Sequence, residues 1–164
     1  MDVKGPKMKI FIDSRCDEIT KAVARELGAK VVRDLECREP WRYRGEAVVF
    51  CGEDEKCPQA SWVVRIYQRS DGVRLAIVRR ESRDYEAFEE LVWRLAKLVQ
   101  GDRLAETLGE ACAKKLVRQA AVVARKFVTA QLEQGSYVVV DVDGSLYMDG
   151  EFCDRTRLQA ALGC

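Results

Sequence analysis

The sequence predicts an α/β domain, with an α+β arrangement as the alternative. A mixed β-sheet carries two antiparallel hairpins, helices lie mainly on one face, and one long helix occupies much of the second half. Three observations lead there. The chain opens with an apolar run, an amphipathic stretch and a second apolar run, the order of a β-α-β unit. Two alternating segments then flank Asp71-Gly72, a dipeptide suited to a tight reversal between antiparallel strands. A later valine-rich run ends in Asp143-Gly144, which repeats that signal.

Taken in order, "MKIFID" (Met8 to Asp13) is a short buried strand. It runs into "SRCDEITKAVARELG", where Ser14 and Asp17 have capping-box spacing, Ile19, Ala22, Val23 and Leu27 share a face, and Gly28 provides the stop. "AKVVRDL" follows as a strand parallel to the first. The polar stretch "ECREPWRYRGE" then leads to a third strand, "AVVFCG". "SWVVRIYQRSDGVRLAIVRRES" forms the first hairpin, and a turn at Asp71-Gly72 sets Ser70 opposite Val73, Gln68 opposite Leu75 and Ile66 opposite Ile77. "SRDYEAFEELVWRLAKLVQG" is a helix capped by Ser82, with Tyr85, Phe88, Val92, Leu95 and Val99 along one side.

From about Asp102 to Glu133, the residues Leu104, Leu108, Cys112, Leu116, Val123, Phe127 and Ala130 recur at mostly helical spacing. A straight helix of ~32 residues would reach ~48 Å, longer than a domain of this size is wide. The segment therefore either breaks near Gly109 or projects and pairs with a second subunit, the basis for expecting a homo-oligomer. "YVVVDV" and "SLYM" make the second hairpin, Asp149-Gly150 a further turn, and "CDRTRLQAAL" a closing helix.

At 164 residues the chain is read as a single domain. Twenty-eight basic against 27 acidic side chains leave a net charge of +1, so an electrostatic partner must be met by a local patch. There is no histidine, which excludes Ser-His-Asp and Cys-His nucleophiles and mixed cysteine/histidine zinc sites. Asparagine is missing as well, and with the abundance of charged residues this points to a hyperthermophile. No apolar run approaches the ~20 residues of a membrane span. "MDVKGPKMKIFIDS" has no apolar core of a signal peptide, so the seven cysteines are expected in a cytoplasmic protein that tolerates disulfides. Cys51 and Cys57 are the candidate loop staple, and Cys164 the candidate odd thiol, free or paired between subunits.

Alternation along the first hairpin gathers Trp62, Val64, Ile66, Val73, Leu75 and Ile77 on a core face. It puts Arg65, Tyr67, Arg69, Arg74 and Arg80 on the other, with Arg69 opposite Arg74 as a like-charged pair. Upstream, Trp41, Arg42, Tyr43 and Arg44 interleave aromatic and basic side chains in a polar segment. Flat rings for stacking beside guanidinium groups for phosphates are what a sequence-tolerant single-stranded nucleic-acid surface requires. The expected function is thus a non-catalytic binding module without a cofactor, its partner single-stranded nucleic acid or an anionic protein. The bland counterpart is a set of arginines engaged in the protein's own ion pairs.

The alternative is a metal-dependent phosphoesterase or nuclease in which Asp13, Asp141 and Asp143, all near strand ends, converge on Mg²⁺. "VVVDVDGSLY" resembles the nucleophile motif of haloacid-dehalogenase-like phosphatases, which implies a large Rossmann-like fold supplying a lysine and further acids downstream. Only 21 residues follow Asp143, so the hairpin reading is preferred.

Overall fold

A computed structural model describes residues 8–33, 35, 39–52, 59–81, 86–141 and 143–164. The expectations for Ser82 and Tyr85 lie outside those residues, as do Cys37 and Cys57 themselves. The mixed sheet and the five helices bear out the α/β class. Strand β1 (Ile10–Asp13), helix α1 (Glu18–Glu26) and strand β2 (Lys30–Val32) form the opening β-α-β unit, and β1 pairs parallel with β2. Asp17 caps α1, its carboxylate accepting the Thr20 N–H at 2.7 Å. A 3₁₀ turn (Pro40–Tyr43) leads to β3 (Ala47–Cys51), which is parallel to both β1 and β4 (Trp62–Arg69).

From β4 onward every pairing is antiparallel. β4 is joined to β5 (Gly72–Arg79) by a two-residue turn at Ser70-Asp71, with Arg69 opposite Gly72. The turn thus sits one residue earlier than expected, and every cross-strand partner moves by two: Ile66 faces Leu75, and Arg74 faces Tyr67. An even shift keeps each side chain on its expected face. The reason is Gly72, whose φ of +119° suits the first position after the turn.

Helix α2 (Glu86–Gln100) crosses behind the sheet. The expected long helix does not form. It is replaced by α3 (Arg103–Leu108), α4 (Glu110–Gln119), and a hairpin of β6 (Ala120–Ala124) and β7 (Phe127–Gln131). Gly109, at φ +84° and ψ 150°, breaks the helix where glycine alone is at ease. Beyond Gln119 the chain is rich in β-branched residues, and alternation wins over helical spacing. Val123, Val128 and Ala130 are buried toward the helices, whereas Val122, Phe127 and Thr129 are partly exposed on the other face.

The second expected hairpin is present as β8 (Tyr137–Asp141) and β9 (Leu146–Met148), reversing between Asp141 and Ser145 with Gly144 at φ +86°. Asp149 and Gly150, both at positive φ, turn the chain into β10 (Glu151–Cys153), and helix α5 (Arg155–Leu162) closes the fold, capped by Asp154. The strand order is β10-β9-β8-β7-β6-β5-β4-β3-β1-β2.

Among the described residues, all five helices pack on one face of this sheet. At the centre of that core Trp62 meets Phe88 of α2 edge-on, ring centroids 4.9 Å apart, with the Arg79 guanidinium over the indole. Leu104, Leu108, Cys112 and Leu116, offered above as a dimer stripe, are buried in the same core. Among the described residues the opposite face has a small buried cluster, at its parallel end, of Leu35, Tyr43, Val48, Phe50, Ala60 and Val63.

The cysteines pair differently from expectation. Cys51 bonds Cys16, not Cys57, because the ends of the adjacent strands β1 and β3 bring their Cα atoms to 5.3 Å. Cys164 is not the odd thiol but bonds Cys112, fastening α5 to α4. Cys153 is free and buried, and burial pushes its thiol pKa up.

Two consequences are measurable. Denatured, unreduced protein should titrate with no more than three thiols, the seven cysteines less the four in these bridges. Cys112→Ser, which opens a closure of 52 residues, should lower the unfolding free energy in urea by about 2–5 kcal/mol. By contrast Phe88→Ala, at the core centre, should cost ~3–5 kcal/mol with or without reductant.

Candidate nucleic-acid interface

The open sheet face is built by the pleat. Each strand from β4 to β10 turns alternate side chains away from the helices, and the register aligns them into rows. One row runs Arg65, Ala76, Val122, Thr129, Val139, Tyr147, Phe152, one residue per strand from β4 to β10. At a strand spacing of ~4.8 Å its ends are ~29 Å apart. A second row carries Tyr67, Arg74, Phe127 and Asp141, and Tyr137 lies opposite Gln131 on the same face.

Aromatic groups dominate one end, and aromatic and basic groups the other. Phe152 is 71% exposed and Tyr137 49%, and Phe152 stands edge-on to Tyr147 at 6.1 Å. At the other end the Arg69 guanidinium lies 5.4 Å from the Tyr67 ring centre, and that of Arg74 lies 5.1 Å from the Phe127 ring centre. Between them Val122, Thr129 and Val139 make a flat, partly exposed strip.

The residues singled out from the sequence divide. Arg65, Tyr67, Arg69 and Arg74 do share this face. The like-charged pair of Arg69 and Arg74 does not exist. The two-residue register shift puts Tyr67 opposite Arg74, and Asp71 accepts from the Arg74 guanidinium at 2.9 Å. The bond to Asp71 comes first among the causes that raise the Arg74 pKa and lower that of Asp71. Arg80 lies just past β5, donating to the Ala60 carbonyl at 2.9 Å. On the 3₁₀ turn Trp41 is 64% exposed and Arg42 is exposed, while Arg44 reaches Gln59 at 2.8 Å. Tyr43 is a correction: it is only 6% exposed, stacked edge-on against Phe11, and belongs to the small second core. A polar flanking sequence concealed a core tyrosine.

Phe127, Tyr137, Tyr147 and Phe152 were not singled out. Tyr137 and Tyr147 could have been, from the alternation of "YVVVDV" and "SLYM". Phe127 was hidden by the helical reading, and Phe152 sits in a strand of three residues, too short to show a period.

The strand-end aspartates do not converge. Asp13 is on β1 and Asp141 on β8, with five strands between them, ~29 Å across the sheet. Ligands of one Mg²⁺ must all lie within ~2.1 Å of it, so the proposed three-carboxylate site is not formed. No group of three or more acidic or thiol side chains placed to hold a metal ion occurs among the described residues. Asp143 instead accepts the Ser145 N–H at 2.8 Å, the bond that chiefly lowers its pKa.

Asp13 has a structural task. Its side chain is inaccessible and accepts from Arg15 three times: from the backbone N–H at 2.8 Å, Nε at 3.1 Å and a terminal guanidinium nitrogen at 2.9 Å. Burial alone would push its pKa up, but the Arg15 guanidinium and the backbone N–H groups of Arg15 and Leu35 outweigh it, and the net shift is downward. The crevice beyond β1 and β3, where open α/β sheets usually take ligands, is crossed here by this pair and by the Cys16–Cys51 bridge.

A depressed carboxylate pKa stabilises the fold fully above the ordinary value of 3.8 and loses that contribution as pH falls through the lowered one. Asp13→Asn should therefore reduce the unfolding free energy at neutral pH by roughly 1–3 kcal/mol and flatten the decline below pH ~4, as followed by urea denaturation across pH.

Compared with protein-family models, with curated proteins and with solved structures, the chain has no significant match in any of the three.

Proposed function

We propose that the protein is a binding module for single-stranded nucleic acid, the strand lying across the open sheet face from Arg69 toward Phe152. The observation that carries this reading is the one-sided fold. All five helices cover one face, and on the other the register lines up Tyr67, Phe127, Tyr137, Tyr147 and Phe152 with Arg65, Arg69 and Arg74. Exposed rings offer stacking to any base, because every base has a π-face. The guanidinium groups serve the phosphates, since each phosphate neutralised adds affinity independent of base. Trp41 and Arg42 extend the surface over the parallel end. The described side chains at the centre of the face, Val122, Thr129 and Val139, are small, so a strand can pass over them. Arg74 contributes less charge than its position suggests, since Asp71 already neutralises it.

The test is fluorescence anisotropy with labelled oligothymidylate of roughly a dozen nucleotides. Binding should fall steeply with salt, since each neutralised phosphate releases counterions. Tyr147→Ala and Phe152→Ala should each weaken it by ~1–3 kcal/mol, and Tyr67→Ala likewise, with little dependence on base identity. Phe152 is largely exposed, so its replacement should leave stability within about 0.5 kcal/mol. No anisotropy change at low salt, or aromatic substitutions without effect, would rule the reading out.

A further inference from the structure

Among the described residues, the large hydrophobic side chains left exposed divide by type and by place. The aromatic ones, Trp41, Tyr137 and Phe152, belong to the open sheet face or to the turn at its parallel end. The aliphatic ones, Ile19 at 65%, Leu98 at 51% and Val73, all border one groove on the opposite, helix-bearing side. A lone exposed leucine needs no explanation, but three aliphatic side chains around one concavity do. The groove holds about 220 Å³ between α1 and α2, with Ile66 and Leu75 of the sheet and Val99 completing its apolar wall.

Its two ends differ in charge. At the α1 end is Asp17, whose carboxylate caps the helix. At the other end the groove opens, past Val73, Leu98 and Val99, into a polar recess that carries Arg103 and Arg125. Arg103 donates to the Arg125 carbonyl at 3.2 Å, and no described carboxylate lies within ion-pair distance of either guanidinium. Asp102, the neighbour of Arg103 in sequence, pairs with Lys97, and Asp71 pairs with Arg74.

We propose that this groove binds a single-chain aliphatic carboxylate. The alkyl chain lies along Ile66, Leu75 and Leu98, and the carboxylate meets Arg103 and Arg125. Water leaves an apolar wall when the chain enters, and a guanidinium fork suits a carboxylate in charge and shape. Asp17 at the far end sets the orientation, because a carboxylate there would meet a like charge. The volume is below the ~300–1,000 Å³ of a drug-sized pocket, which fits a chain of medium length better than a long one or a peptide helix.

The experiment titrates the full-length protein with octanoate, decanoate, decanol and acetate below their micelle thresholds, by calorimetry and by the methyl resonances of Ile19, Val73 and Leu98. Decanoate should bind saturably, roughly tenfold tighter than octanoate for its two added methylenes, and acetate should not bind. Arg103→Glu with Arg125→Glu should weaken decanoate at least tenfold and leave decanol unchanged. Leu98→Trp, which fills the groove from an exposed position, should block both. The proposal is overturned if decanoate fails to saturate, if acetate competes equally, or if neither variant changes affinity. A concentration-dependent dimer that Leu98→Trp dissolves, without decanoate binding, would make the patch a self-association surface and overturn it too.

Discussion

Everything in this fold depends on one constraint: a ten-stranded sheet whose helices all pack on the same face. Trp62 and Phe88 meet at the middle of that contact, and α1, α4 and α5 extend it toward both edges. The pleat then dictates that half of each strand's side chains point away from the helices. At the parallel end those side chains are Phe11, Val48, Phe50 and Val63, and the 3₁₀ turn with Tyr43 covers them. At the antiparallel end the corresponding side chains are arginines, tyrosines, two phenylalanines, threonine and small aliphatics, most of them left partly or largely exposed. The division between a covered and an open half follows composition strand by strand.

The polar and covalent features nearest the opening unit serve this architecture. A parallel sheet commonly keeps a ligand crevice beyond its carboxyl-terminal strand ends. Here Asp13 is consumed by Arg15, Lys21 donates to the Ser14 carbonyl at 3.0 Å, and Cys16 is tied to Cys51. Groups that would be attractive as catalytic candidates in isolation are thus spent on holding the β1 and β3 ends together. The exposed aromatic and aliphatic side chains lie elsewhere, on the sheet face, the 3₁₀ turn and the groove between α1 and α2.

The segment from Leu104 to Ala130 shows why local periodicity is an incomplete guide. Up to Gln119 the apolar spacing is helical and α3 and α4 form, interrupted only by Gly109. Val123, Phe127 and Ala130 continue the same spacing by coincidence, yet Val123 and Phe127 end on opposite faces of a hairpin. What decides is the free edge of β5, whose backbone groups need partners; β6 supplies them, and the β-branched residues of β6 and β7 favour that outcome. The same edge pairing removes the unpartnered apolar stripe on which a dimer had been expected.

From the sequence alone the α/β class, the opening β-α-β unit, both glycine-marked reversals and the faces of the β4–β5 hairpin were legible, because each rests on contacts a few residues apart. The hairpin faces survived a register error, since side-chain direction alternates with period two and the error was two residues. Residues distant along the chain were beyond that reach. Which cysteines meet, whether Asp13 and Asp141 share a site, and where Tyr43 lies were decided by strand order alone, a product of the whole core. Phe127 and Phe152 likewise joined the arginine face only once seven strands had been laid side by side, for a surface of that kind is a property of the sheet and of no single strand.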